Sequence, residues 1–180
     1  MTDINLVDVT MRDGCRIAVD VYLPEPIDSA AGETAFATIA LFTPYYRRFK
    51  LRPGGSGEVN PNSGKFRDFF VPRGYAVVVV DVRGTGASFG TRDSFRSPKE
   101  REDSREIADW IVAQSWSNGV IGATGISYLG AASDFLASTG HPAVKAIAPL
   151  FSVWDTYTDN YFPGGIQVTS LTKIYDDLLV

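Results

Sequence analysis

The chain has 180 residues, 44% hydrophobic and 21% charged, and its 17 Lys and Arg against 21 Asp and Glu leave a net charge of −4. These values describe one folded domain with room for a real core, and they exclude a disordered or low-complexity chain. The acidic balance without a basic block argues against nucleic acid, no apolar run is long enough for a membrane span, and the single Cys15 excludes an internal disulfide or a cysteine-rich metal site.

Met1-Thr-Asp-Ile-Asn5 has no basic region followed by an apolar stretch, so the expectation is a cytoplasmic protein without a secretory signal. Residues 4–10 and 16–23 are β-branched runs separated by Arg12-Asp13-Gly14, a hairpin pattern. Val19, Val21 and Leu23 share one face, Ala18, Asp20 and Tyr22 the other. Pro24, Pro26 and Gly32 mark a loop. Ala37–Thr43 predicts a buried strand ended by Pro44, and 45–64 a long loop. Lys65–Pro72 predicts a short helix with Phe66, Phe69 and Phe70 at helical spacing, closed by Gly74. Tyr75–Val82 is apolar nearly throughout, as in a central strand buried on both faces.

Residues 83–97 predict a loop in which Asp81 and Arg83 pin the Gly84–Gly90 segment by a charge-assisted hydrogen bond. Ser97, Pro98 and Glu100 form a capping box that opens a helix to about Gln114, with Ile107, Trp110 and Ile111 inward. Trp110 and Trp116 read as packing, and Glu102, Asp103 and Glu106 as acidic residues suited to the helix dipole. Ser115–Gly119 predicts a turn, Val120–Thr124 a short strand, Tyr128–Ser138 a small-residue helix and Val144–Pro149 another strand. From 37 to 149 strands and helices alternate. That order predicts an α/β fold: a mostly parallel sheet with helices on both faces and the antiparallel hairpin at one edge.

Gly125-Ile126-Ser127-Tyr128-Leu129-Gly130 lies between a short strand and a helix and fits G-x-S-x-x-G, one residue longer to its last glycine than the usual nucleophile elbow. A sharp turn there would hold the Ser127 hydroxyl clear of the sheet, and the Tyr128 N–H would face the reacting oxygen. The alternative is a plain strand-turn-helix with a surface serine. Two other glycine patterns suggest a nucleotide. In Gly122-Ala-Thr-Gly125 the third glycine position is Tyr128, and Gly84-Thr-Gly86 leads into a polar loop rather than a helix.

Gln114–Gly130, Asp81-Val-Arg-Gly-Thr-Gly-Ala-Ser88, Met11-Arg-Asp-Gly14 with Val19–Pro24, Thr43-Pro-Tyr-Tyr46 and His141–Pro149 together resemble the CocE/NonD hydrolases, which are Xaa-Pro dipeptidyl-peptidase-like serine hydrolases. The resemblance covers nearly the whole chain. It implies an α/β-hydrolase-like sheet truncated before its last strands. Residues 1–150 would be the N-terminal part of the catalytic domain and 151–180 the start of a helical cap insertion. It implies Ser127 as nucleophile, with the Tyr128 backbone N–H and the Tyr45 phenol as oxyanion donors; Tyr46 is the neighbour that could be mistaken for Tyr45. It implies no cofactor and no metal, and a small ester, amide or peptide as substrate, chosen by the cap and by loops 45–64 and 83–97.

The serine needs a base and the base an orienting carboxylate, in the chain order Ser, acid, His. The sole histidine, His141, precedes the next parallel strand and comes before every later carboxylate, reversing that order, and it follows a helix of about eleven residues, which carries the chain roughly 16 Å from the elbow. The expectation is therefore the N-terminal part of a longer hydrolase whose Asp and His lie outside this chain. Two other classes remain open here: a non-catalytic binding protein with a vestigial elbow, and a nucleotide-dependent oxidoreductase.

Overall fold

The computed structural model describes residues 4–25, 35–93, 97–152 and 155–179. Six strands form one sheet in the order β1-β2-β4-β3-β5-β6. They are β1 (Ile4–Thr10), β2 (Arg16–Tyr22), β3 (Phe36–Thr43), β4 (Ala76–Asp81), β5 (Ser117–Ile126) and β6 (Val144–Leu150). The β1/β2 and β2/β4 pairs are antiparallel, while β4, β3, β5 and β6 run parallel. The hairpin thus adds two antiparallel strands to the edge of a parallel sheet, as the alternation predicts. Pro26 and Gly32, part of the expected loop after β2, lie outside the described residues.

β4 sits third in the order and is buried on both faces, Val77 to Val80 being at most 1% exposed. Val78 and Val80 pack with Ile17, Val19 and Val21 beneath α2 (Pro98–Val112) and α3 (Tyr128–Ser138). Val77 and Val79 pack on the other face with Leu41, Tyr22, Phe66 and Phe70 beneath α1 (Gly64–Phe70). Burying each such valine or leucine is worth about 1.5–3 kcal/mol, which makes β4 the spine of the core.

Several local expectations are refined. Phe69 is 51% exposed, beneath the Arg73 guanidinium 3.9 Å from its ring, so only Phe66 and Phe70 of α1 face the sheet. After α1 the chain tightens into a 3-10 turn, Val71–Arg73, and Gly74 stops it with φ 85°. The capping box is half formed: Ser97 Oγ accepts the Glu100 N–H at 3.3 Å, but the Glu100 carboxylate turns to Tyr128 and Arg92. β5 is longer than the expected 120–124. Ser117 Oγ accepts the Gly119 N–H and Asn118 Oδ1 the Val120 N–H, so the polar turn is real but embedded in a strand whose register with β3 shifts there. Trp110 and Trp116 pack edge to face, centroids 6.3 Å apart.

Arg83 does not act with Asp81 as expected. Its guanidinium bonds Asp103 at 2.7 and 2.8 Å and Asp13 at 2.7 Å, tying the hairpin turn to α2, and Arg12 joins through Asp103 and Glu106. Asp81 acts on the 84–90 segment without Arg83: its carboxylate accepts the Ala87 N–H at 3.0 Å and its carbonyl the Ser88 hydroxyl at 2.7 Å. Beyond β6 the described residues form a π-helical turn (Thr156–Tyr161), a 3-10 turn (Pro163–Gly165) and α4 (Thr169–Leu179).

Candidate active site

β5 ends in Gly125 and Ile126, and α3 begins at Tyr128. Ser127 alone joins them, with φ 61° and ψ −118°. A side-chain-bearing residue in that region is strained, and the surrounding structure must hold it. Its N–H donates to the Leu150 carbonyl at the end of β6 (2.9 Å), and its carbonyl accepts the Ala131 N–H (3.0 Å), opening α3. The two glycines of the motif make the turn possible. A Cβ on Gly125 would lie 2.2 Å from that of Leu129, and one on Gly130 would lie 2.7 Å from the Leu150 carbonyl oxygen. The lengthened spacing to the second glycine therefore matches where β6 crosses α3. Ser127 is half-buried and its hydroxyl has no hydrogen-bond partner among the described residues.

Backbone strain is concentrated here. Among the described residues the non-glycine positions with positive φ are Tyr46 (67°), Ser127 (61°) and Phe151 (50°). They follow the C-terminal ends of β3, β5 and β6, which are neighbours in the sheet. This is the edge at which parallel α/β sheets place their sites.

Tyr45 lies on the same edge, after Thr43 and Pro44. Its N–H donates to Thr43 Oγ1 (3.0 Å), and its half-buried ring meets the Tyr128 ring edge to face at 6.3 Å. Of the residues singled out by sequence, Tyr45 thus meets the ring of Tyr128, the neighbour of Ser127, on the sheet edge where Ser127 also lies. Tyr128 is 1% exposed. Its hydroxyl donates to the Glu100 carboxylate and accepts from Arg92 at 3.0 Å. Burial and the Glu100 charge push the phenol well above its usual range, so it stays protonated. Burial likewise lifts the Glu100 carboxyl, against the opposing pull of Tyr128 and Arg92. This buried triad, which sequence reading missed, anchors the first residue of α3 to the first turn of α2. Tyr128 is the first residue of α3, so its backbone lies at the elbow while its side chain holds the turn down.

His141 is elsewhere. It precedes β6 at the N-terminal end of the parallel strands, whereas Ser127 follows β5 at the C-terminal end. The intervening length of β6 alone is about 20 Å. Its Nδ1 accepts the Ala143 N–H at 3.2 Å, which leaves Nε2 to donate to Asp109 at 2.9 Å. The imidazole is a 7% exposed structural group between α2 and β6. Cys15 donates its thiol to the Phe89 carbonyl, and burial raises its pKa, the opposite of what a nucleophile needs. Among the described residues no group of three or more His, Cys, Asp or Glu could hold a metal ion, and no helix is long and apolar enough to cross a membrane.

The comparisons with known proteins agree with this geometry. A Mycobacterium bovis protein provisionally named a serine esterase is 48% identical over 174 residues, covering 93% of this chain and 27% of its own length. Cocaine esterase of Rhodococcus is 34% identical over 160 residues, covering 88% of this chain and 25% of that protein. The chain therefore spans about a quarter of the length of the curated relatives it matches, in their N-terminal part. The crystal structure of a CocE/NonD family hydrolase from Staphylococcus aureus superposes with a TM-score of 0.73 at 32% identity, covering 90% of this chain and 29% of that one. The X-Pro dipeptidyl-peptidase (S15 family) profile matches residues 13–179, nearly the whole sequence. On the matched span, the strand order and the serine turn, the chain belongs to the X-Pro dipeptidyl-peptidase (S15) family of serine hydrolases.

Proposed function

We propose that this chain supplies the nucleophile and the oxyanion hole of a serine hydrolase that cleaves an ester or amide bond through an acyl-enzyme. The observation that carries the reading is Ser127, held at φ 61° between β5 and α3 on the C-terminal edge of the sheet, its hydroxyl without a partner among the described residues. Ser127 Oγ attacks the substrate carbonyl carbon and its proton passes to a base. The carbonyl π electrons move to oxygen, which the Tyr128 N–H and the Tyr45 phenol stabilise as an oxyanion. Collapse expels the alcohol or amine, which takes up the proton, and water then releases the acid. His141 is committed to Asp109 and Ala143 at the far end of the strands. The base and its carboxylate would therefore come from the remainder of the whole protein. Residues 1–150 are the first part of the catalytic domain in this reading, and 151–180 begin a cap over the site. The substrate is a small ester, amide or peptide, in keeping with the esterase and dipeptidyl-peptidase names of the relatives.

The test is covalent labelling of the whole protein with a fluorophosphonate, which traps an activated serine with loss of fluoride. Stoichiometric labelling that Ser127→Ala abolishes supports the reading. Labelling that persists in that variant, or none in the wild type, overturns it. Tyr45→Phe is expected to lower kcat by about 10²–10³, the usual effect of removing one oxyanion donor.

A further inference from the structure

We propose that Asp81 is a positioning residue that sets the Tyr45 phenol through the backbone of the loop carrying it. The inference rests on the reading of Tyr45 as an oxyanion donor.

Asp81 is the last residue of β4 and 2% exposed. Its two carboxylate oxygens accept from two different loops: Oδ1 takes the Arg47 N–H at 2.7 Å and Oδ2 the Ala87 N–H at 3.0 Å. Arg47 is held on its other sides as well. Its guanidinium bonds Asp20 at 2.7 Å, and its carbonyl accepts from Asn60 Nδ2. Tyr45 is gripped at both ends, by Thr43 Oγ1 at its N–H and by Asn62 Nδ2 at its carbonyl (3.3 Å). Tyr46, between these two fixed residues, carries the left-handed φ of 67°. Backbone in that region relaxes unless its neighbours prevent it.

This clamp is a poor device for stability. Asp20 is fully buried, its Oδ2 lacks a hydrogen-bond partner, and burial raises the pKa of both Asp20 and Asp81. Buried ion pairs of this kind add little over apolar packing, but removing one member releases whatever the others hold. What is held here is the direction of the chain as it leaves β3, two residues from the phenol. The oxyanion exists only in the tetrahedral stage. A phenol displaced by about an ångström weakens the transition state and leaves ground-state binding almost unchanged.

Asp81→Asn in the whole protein tests this. An amide offers one acceptor oxygen where the carboxylate offers two, so either the Arg47 or the Ala87 N–H is left without its partner. Turnover of p-nitrophenyl butyrate is measured in the wild-type and Tyr45→Phe backgrounds, with thermal unfolding in parallel. The expected result is a fall in kcat of about 10–100-fold with KM within about twofold. In the Tyr45→Phe background the further fall should be under about threefold, because the group being positioned is gone. An equal fall in both backgrounds, or unchanged kcat in the single variant, overturns the inference. Unchanged kcat in Tyr45→Phe alone would instead remove the oxyanion role of Tyr45, and the positioning role with it. Should Asp81→Asn fail to fold, Asp81→Glu keeps the charge and both acceptor oxygens but displaces them from the Arg47 and Ala87 N–H groups by one methylene. A kcat loss seen in the wild-type background and absent in the Tyr45→Phe background supports the inference; the same loss in both, or none, overturns it.

Discussion

The Ser127 amide donates to the Leu150 carbonyl at 2.9 Å, so the tight turn after β5 is stitched to the end of β6. The same carbonyl oxygen lies 2.7 Å from where a Cβ on Gly130 would be. Gly130→Ala should therefore push α3 off β6 and cost about 1–3 kcal/mol of stability, read by urea unfolding, with fluorophosphonate labelling slowed in step. Full stability and labelling in that variant would mean that the second glycine of the motif is not set by this crossing.

His141→Ala separates a structural histidine from a catalytic one. Losing the bonds to Asp109 and Ala143 is expected to cost about 1–2 kcal/mol in chemical unfolding. Turnover of the whole protein should stay within about twofold of wild type. A loss of turnover without a loss of stability would put the imidazole in the reaction after all.

Tyr128→Phe deletes the hydroxyl that lies between Glu100 and Arg92. The carboxylate keeps Arg92 but loses its other buried partner. The expected cost is about 1–3 kcal/mol, measured by thermal or urea unfolding. A neutral result would show that the triad does not anchor the elbow.

Acid stability carries a signature of the hairpin turn. Hydrogen bonds from Arg83 and the Cys15 amide lower the Asp13 carboxyl from 3.8 to about 2. The folded pKa lies below the unfolded one, so the contribution of Asp13 is present above about pH 4 and is lost as pH falls through 2. Asp13→Asn should flatten the dependence of Tm on pH between about 4 and 2. Glu100 has the opposite sign: burial raises its pKa, so its ionisation costs stability as pH rises past the unfolded value, and Glu100→Gln should flatten that limb. An unchanged slope in either variant contradicts the corresponding assignment.

Much of this architecture was legible in the order of residues. The hairpin follows from Asp13-Gly14 between alternating runs, and β4 from an unbroken apolar stretch. The Ser127 turn follows from a serine bracketed by Gly125 and Gly130 at a strand-helix junction. Tertiary partners were not legible. Asp20 alternates correctly for a strand but gives no sign that Arg47 will meet it, and Glu100 reads as a capping residue until Tyr128 claims its carboxylate. Nearness in sequence pairs Arg83 with Asp81, whereas its actual partners come from the hairpin turn and from α2. Local pattern fixes which face a side chain takes; it does not say which charge arrives on the same face from a distant segment.

The place of β4 between β2 and β3 has a consequence for how the chain is made. Val19 pairs with Val80 and Tyr22 with Val77, so the hairpin, although complete early, has no neighbour until β4 has emerged. The bond from Arg12 to Asp103 waits longer still, spanning 91 positions. Contacts of such separation close slowly, and in the interval the apolar face of β2 is open to other chains. The arrival of β4 closes the edge of the hairpin, but its Ile17, Val19 and Val21 face stays uncovered until α2 and α3 have followed.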